Sequence, residues 1–282
     1  MISKREKGSR IAYWIGAAMV LAVLCGLWFV SQYRDTSRQQ GVEVLLLGDS
    51  ILAQSTVGEL LADMGPYQVV NCAIGGTMLS AGQNGQDTEI QDMKNTLSMV
   101  ALTEGICAGD FGAQKATRAT EAVLNYLPAT VATLESISLD ETKVLIFNHG
   151  VNDYHRAVIP ERTDAPGDIH TFAGAMRRIF ADLREEYPEL RIIYVTPPYA
   201  WYGEERIPCT EMDYGYGPLD NYVNLALELC REYQVEVVDI YHNTYDLTRA
   251  DADKIYTLDG LHPSNEGSTL IAQRIAQVLG TE

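Results

Sequence analysis

Five short apolar runs constrain this chain most: Val42–Leu47, Tyr67–Cys72, Lys143–Asn148, Arg191–Thr196 and Val235–Ile240. A strand with one wet face alternates apolar and polar residues. These runs are nearly continuous, which requires burial on both faces. Helical patterns fill the intervals, near residues 55–64, 87–103, 113–136, 169–187 and 218–233, with a last one at 265–280. Strands separated by helices cannot pair as hairpins, so the expectation is a parallel sheet with right-handed crossovers and flavodoxin-like strand order 2-1-3-4-5. A chain of 282 residues is long enough to bury the core of such a domain. Residues 78–141 form a mostly helical insertion that is expected to shape a rim or lid.

Ligands of an open parallel sheet bind beyond the carboxyl ends of its strands. The first run is followed by Gly48-Asp49-Ser50, and the second by a segment ending in Gly75-Gly76. The third is followed by Gly150-Val151-Asn152-Asp153, and Asp259-Gly260-Leu261-His262-Pro263 precedes the last helix. A serine hydroxyl is a weak nucleophile that needs a base to take its proton. Histidine serves as that base near neutral pH, and a carboxylate on its other nitrogen fixes the tautomer and stabilises the imidazolium. Asp259 and His262 are spaced to meet in that way. Donors for a tetrahedral oxyanion would come from the Ser50 and Gly76 N–H groups and the Asn152 side-chain amide. Taken singly, Gly-Asp-Ser and Gly-Gly read as turns and Asn152 as a cap. Their order, each on the same sheet rim, points to acyl transfer.

These blocks make residues 42–280 resemble the SGNH, or GDSL-type, hydrolases. Gly48-Asp49-Ser50 matches the first family block, Asn71 to Gly76 the second, Gly150-Val151-Asn152-Asp153 the third and Asp259 to Pro263 the last. The resemblance implies a three-layer α/β/α fold, serine esterase chemistry and no metal or organic cofactor. It assigns Ser50, Asp259 and His262 to catalysis, and Ser50, Gly76 and Asn152 to the oxyanion hole. After Ser50 the chain reads Ile51-Leu52, a mild departure from the family's usual letters. Gly75 adjoins Gly76, so two N–H groups compete for one role; the five-residue offset from Asn71 favours Gly76.

The N-terminus is of another kind. Residues 11–30 form an apolar run of twenty residues without a charge, matching the ~30 Å hydrocarbon core of a bilayer at about 1.5 Å per residue. Lys4, Arg5, Lys7 and Arg10 precede it, so residues 1–10 read as a basic cytoplasmic end, 11–30 as a transmembrane anchor and 31–41 as a linker. Residues 42–282 form the hydrolase domain, expected outside a single-pass cell membrane. Secretion after signal cleavage is the alternative. Residues 1–38 hold six of the 21 Lys and Arg and two of the 38 Asp and Glu, which leaves the remainder with a net charge of −21. That charge repels phosphate backbones and argues against nucleic acid as a partner. No obligate protein partner is indicated.

Cys72, Cys107, Cys209 and Cys230 allow three disulfide pairings that spacing does not separate. No Cys/His cluster suggests zinc. Gly109-Asp110-Phe111-Gly112 echoes a kinase motif, but Ala157 stands where an HRD aspartate would be, and a Gly-rich nucleotide loop is missing. Asp251 and Asp253 lack the glycine and glutamate of a calcium loop. His149, His155, His170 and His242 read as core or surface residues, with His149 placed to support the third block. Tyr199, Trp201 and Tyr202 follow the fourth strand and are candidate substrate-binding aromatics, since sugar rings and acyl chains pack on such faces. The expected substrate is a short-chain, O-acetyl type ester, on a small molecule or an envelope glycan. The alternatives are acyl transfer to a glycan hydroxyl and a non-catalytic envelope-binding module.

Overall fold

The computed structural model describes residues 42–83 and 88–280. Five strands form the central sheet: β1 (Val44–Gly48), β2 (Val69–Asn71), β3 (Val144–Asn148), β4 (Arg191–Val195) and β5 (Glu236–Val238). They lie in the order β2-β1-β3-β4-β5, and every neighbouring pair is parallel. This is the expected topology.

Period-two geometry divides each apolar run between two cores. Leu45, Leu47, Leu145, Phe147 and Tyr194 face one layer, where they pack with the helices Met99–Ala108, Phe172–Glu186 and Leu219–Glu232. Val44, Leu46, Val144, Ile146, Ile193 and Val195 face the other, against Val57–Met64 and Asn265–Leu279. Helices on both faces of the sheet make the three-layer sandwich, and they explain why the runs are continuous. Among the described residues no disulfide joins Cys72, Cys107, Cys209 and Cys230.

Three features depart from the helical pattern of the sequence. The stretch 113–136 breaks into Gly112–Lys115, Glu121–Leu124 and Leu127–Ser136, the last of which starts with Pro128 in its first turn. Trp201–Tyr202 and Ile207–Pro208 form a small antiparallel hairpin after β4. Ser50 itself begins a short helix, Ser50–Ala53, capped by the Asp49 carboxylate through Ile51 N–H. Among the described residues no helix is long and apolar enough to cross a membrane; the expected span at 11–30 lies outside the described residues.

Gly267 fixes how the last helix meets the loop before it. A Cβ at this position would lie 2.1 Å from the Tyr256 carbonyl oxygen. Alanine normally stabilises a helix relative to glycine by about 1 kcal/mol. Here Gly267→Ala is expected to reverse that sign, destabilising the fold by ~2 kcal/mol through overpacking. A denaturant melt checks it: a midpoint equal to or above that of the parent refutes the close contact.

Candidate active site

The register of β1 and β3 assembles the rim. Gly48 is opposite Asn148, so the two strands end side by side and deliver Asp49-Ser50 and His149-Gly150 to the same place. Asp49 N–H donates to the Asn148 carbonyl at 3.1 Å, continuing the ladder by one rung. The segment after β2 runs along the same edge, with Cys72 N–H bonded to Leu46 O and Ile74 N–H to Gly48 O, both at 2.8 Å. Gly75 and Gly76 therefore arrive beside Ser50. A Cβ on Gly75 would lie 3.8 Å from the Ser50 Cβ.

Ser50 Oγ lies 2.9 Å from His262 Nε2, and His262 Nδ1 lies 2.7 Å from Asp259 Oδ2. With a carboxylate accepting at Nδ1–H, Nε2 is left to accept the serine proton. Asp259 is itself fixed, because its Oδ1 accepts the N–H groups of Leu261 and His262 at 3.0 and 2.9 Å. Burial works against its charge, but these bonds from the His262 ring and the two amides outweigh it and hold the carboxyl below its ordinary range.

A clamp around the turn sets this geometry. Thr257 and Pro263 bridge its two ends, and Leu258 N–H donates to His262 O at 2.8 Å. The hairpin after β4 holds the tip: Trp201 N–H donates to Gly260 O at 2.7 Å, and the Arg206 guanidinium donates to Asp259 O at 2.6 Å. Gly260 has φ +103°, and a Cβ there would lie 2.2 Å from Trp201 O. Only glycine permits both the backbone conformation and the close approach.

Gly75 N–H donates to the Tyr126 hydroxyl at 2.8 Å and is thereby occupied. The N–H groups of Ser50 and Gly76 meet no acceptor among the described residues. Asn152 leaves the short helix Val151–His155, and its amide donates to Thr77 O at 2.9 Å, which leaves one N–H over. Gly150, before that helix, has φ +129° and is enclosed by Phe172, Tyr194 and Pro197. The Ser50 and Gly76 N–H groups and the Asn152 amide thus all belong to segments that meet at this rim.

Beneath the donors lies a buried polar layer. Thr77 Oγ1 donates to Ile74 O at 2.7 Å and so accepts from His149 Nε2 at 3.1 Å, which ties the glycine loop to the end of β3. Burial lowers the His149 pKa to about 3, so the ring is neutral. Asp153 accepts from Leu79 N–H, Ser80 N–H and the Ser80 hydroxyl, and burial raises its carboxyl. Asp49 accepts from Ile51 N–H at 2.9 Å through Oδ1, while Oδ2 is enclosed without a hydrogen bond. Burial raises its pKa to about 7; the Ile51 N–H opposes the shift, nearby Asp153 adds to it and the Asn152 amide opposes it.

Of the three candidate aromatics, Tyr199 and Trp201 are half-buried and pack on each other with ring centres 5.1 Å apart. Tyr202 is enclosed with Tyr154, His155 and Tyr214, its hydroxyl without a hydrogen-bond partner among the described residues. Asp239 and His242 repeat the Asp-x-x-His geometry at 2.8 Å. No serine hydroxyl bonds that second ring among the described residues, which is what distinguishes the pair at Asp259 and His262. Sequence reading did not find Tyr126, Thr77 or Arg206. Their parts in the site come from contacts across long stretches of chain, with no local motif to mark them.

A three-layer α/β protein with a serine–histidine–aspartate relay on the carboxyl edge of its sheet has the build of a serine hydrolase. The family model described as GDSL-like Lipase/Acylhydrolase matches residues 46–270, and the chain belongs to that family. It is 27% identical over 143 residues to a GDSL esterase/lipase of Arabidopsis thaliana, a match that covers 47% of this chain and 56% of that protein. This chain thus spans just over half the length of that relative. A solved protein from Lactobacillus plantarum shares the fold at TM-score 0.60 and 18% identity, over 86% of this chain and 99% of that one. An acetyl xylan esterase does so at TM-score 0.50 and 14% identity, over 84% and 98%.

The buried Asp49 makes stability depend on pH. Its folded pKa stands above the unfolded value, so its contribution is full below about pH 4 and is lost as pH rises toward 7. Asp49→Asn keeps an acceptor for Ile51 N–H but does not ionise. Unfolding free energies of the two proteins are expected to diverge by about 2–3 kcal/mol in favour of the variant between pH 5 and pH 8. A difference that stays flat with pH would show that Asp49 does not titrate in this way.

Proposed function

We propose that this protein is a serine esterase that removes a short acyl group, of the O-acetyl type, from an extracellular or envelope glycan through an acyl-enzyme. The observation that carries the chemistry is the continuous contact from Ser50 Oγ through both His262 nitrogens to Asp259, at 2.9 and 2.7 Å. In this reading His262 takes the Ser50 proton as Oγ attacks the ester carbonyl, and the imidazolium is stabilised by Asp259. Charge develops on the carbonyl oxygen, where the Ser50 N–H, Gly76 N–H and Asn152 amide receive it. These donors are fixed before substrate arrives, so no reorganisation accompanies the step. His262 then gives the proton to the departing alcohol, and water repeats the sequence on the acyl-enzyme.

The glycan assignment rests on position and surroundings. The apolar segment 11–30 would tether the domain to a membrane with residues 42–282 outside, where envelope and extracellular polysaccharides lie. Trp201 lies on the hairpin that holds the His262 turn and Tyr199 two residues before it, and they offer the partly exposed aromatic faces on which sugar rings pack.

Ser50→Ala is expected to abolish hydrolysis of a short acyl ester and labelling by a serine-reactive phosphonate. Full turnover in that variant would end the hypothesis. Asn152→Ala should lower kcat by roughly 10²–10³ with little change in KM, because its amide acts in the transition state. A change confined to KM would instead place Asn152 in ground-state binding.

A further inference from the structure

A cavity of about 280 Å³ has Met78, Gln91, Lys94, Arg156, His170 and Tyr216 in its wall. Two independent links join it to the site. On one side, Met93 covers Gly76: its Cε is 3.9 Å from where a Gly76 Cβ would be, and Lys94 is the next residue of the helix Glu89–Thr96. On the other, Arg156 N–H donates to Asn152 O at 3.1 Å. Residues four apart share a helix face about one turn, ~5–6 Å, along the axis. Lys94 and Arg156 thus line a cavity one residue along the chain from Met93, which covers Gly76, and one helical turn from Asn152.

Arg184, Arg231, Lys254 and Arg274 share with Lys94 and Arg156 the lack of a carboxylate contact among the described residues, but only Lys94 and Arg156 line this cavity. Residues 39–282 carry a net charge of −21, and carboxylates are plentiful. Arg118, Lys143, Arg162, Arg177, Arg178 and Arg191 each contact one. Lys94 and Arg156 contact none among the described residues. They repel each other instead, and partial burial together with the Arg156 charge holds the Lys94 ammonium below its ordinary range. Two like charges held together without a counter-ion in an acidic protein are poised for an anion from outside. The rest of the wall suits a compact polar group. Gln91 turns its amide nitrogen to Gln83 O and Asn95 Oδ1, leaving its own oxygen unused there, and His170 and Tyr216 add a ring nitrogen and a hydroxyl.

We propose that this cavity is an anion subsite: Lys94 and Arg156 hold a carboxylate or phosphate group of the substrate while its ester carbonyl is at Ser50. This deepens the esterase reading and rests on it. The substrate class narrows to short acyl esters of a sugar or alcohol that also bears one compact anionic group close to the ester. The acidic surface disfavours a long polyanion, whereas a single compact group meets Lys94 and Arg156 at close range.

The test compares three acetyl esters with the same leaving hydroxyl: an O-acetyl hexoside, its hexuronate and its hexose phosphate. The parent protein is expected to favour at least one charged ester by roughly tenfold or more in kcat/KM, mainly through KM. The preferred arm distinguishes carboxylate from phosphate. In the K94Q/R156Q double variant the ratio of charged to neutral kcat/KM should fall at least about tenfold, and R156K should restore part of it to the R156Q single variant. Added salt should erode the preference. A parent with no preference, or a ratio that the double variant leaves unchanged, overturns the subsite. Phosphonate labelling of Ser50 in the same samples separates the two failures. Labelling without charge preference removes the subsite alone, whereas absence of both labelling and turnover removes the esterase reading and the subsite with it.

Discussion

The pairing of Gly48 with Asn148 is the constraint from which the rest of the site follows. Two parallel strands that stop at the same level place their next residues side by side, and here those residues are Asp49-Ser50 and His149-Gly150. A one-residue slip in a parallel pair would turn every side chain of β1 to the opposite face. It would also move Ser50 along the rim by ~3.3 Å, beyond reach of His262 Nε2. The two cores prevent this: Val44 and Leu46 belong to one, Leu45 and Leu47 to the other. Registry of the nucleophile is therefore enforced by ordinary apolar packing far beneath it.

The histidine comes from elsewhere in the chain and needs its own restraint. The His262 ring bonds to residue 50, across 212 positions of sequence. A loop free to wander would lose that contact to conformational entropy, which amounts to about 1–2 kcal/mol per residue fixed. The Thr257–Pro263 bridge, the Asp259 turn bonds and the hairpin contacts to Gly260 and Asp259 settle that cost in the folded state. The catalytic geometry is thereby prepared before substrate binds.

Legibility followed the range of the interaction. The strands, their order and the four rim blocks were readable because burial on both faces and Gly/Asp/Ser punctuation are written locally. Ser50 as the first residue of a helix was not, since four residues carry no usable period. The split of 113–136 escaped for a related reason: an apolar pattern persists across breaks made by Thr120 and Pro128. The expectation of Gly76 over Gly75 rests on spacing, and in the structure the Gly75 N–H is already occupied. Tyr126 occupies the Gly75 N–H from a position 51 residues away inside the insertion, and no motif marks such a partner. The expected rim insertion thus contributes contacts to the site itself. Lys94 and Arg156 were invisible for the same reason, being ordinary surface residues until the fold brings them to one cavity.

Charge is layered around the nucleophile in a way that composition conceals. Directly below the donors are Asp49 and Asp153, both buried and both pushed toward their neutral forms, with a neutral His149 beside them. Had both carboxylates been ionised there, their field would oppose a developing oxyanion a few ångströms away, in surroundings where it is weakly screened. Protonating or strongly hydrogen-bonding them removes that opposition. Asp153 receives three donors from Leu79 and Ser80, whereas Asp49 is bonded by the Ile51 N–H and aided by the Asn152 amide, and burial raises both carboxyls, Asp49 to about 7. The formal −17 of the whole chain therefore says little about the potential at Ser50. The buried carboxyls beside Ser50, which burial pushes toward their neutral forms, contribute less negative potential there than their number suggests.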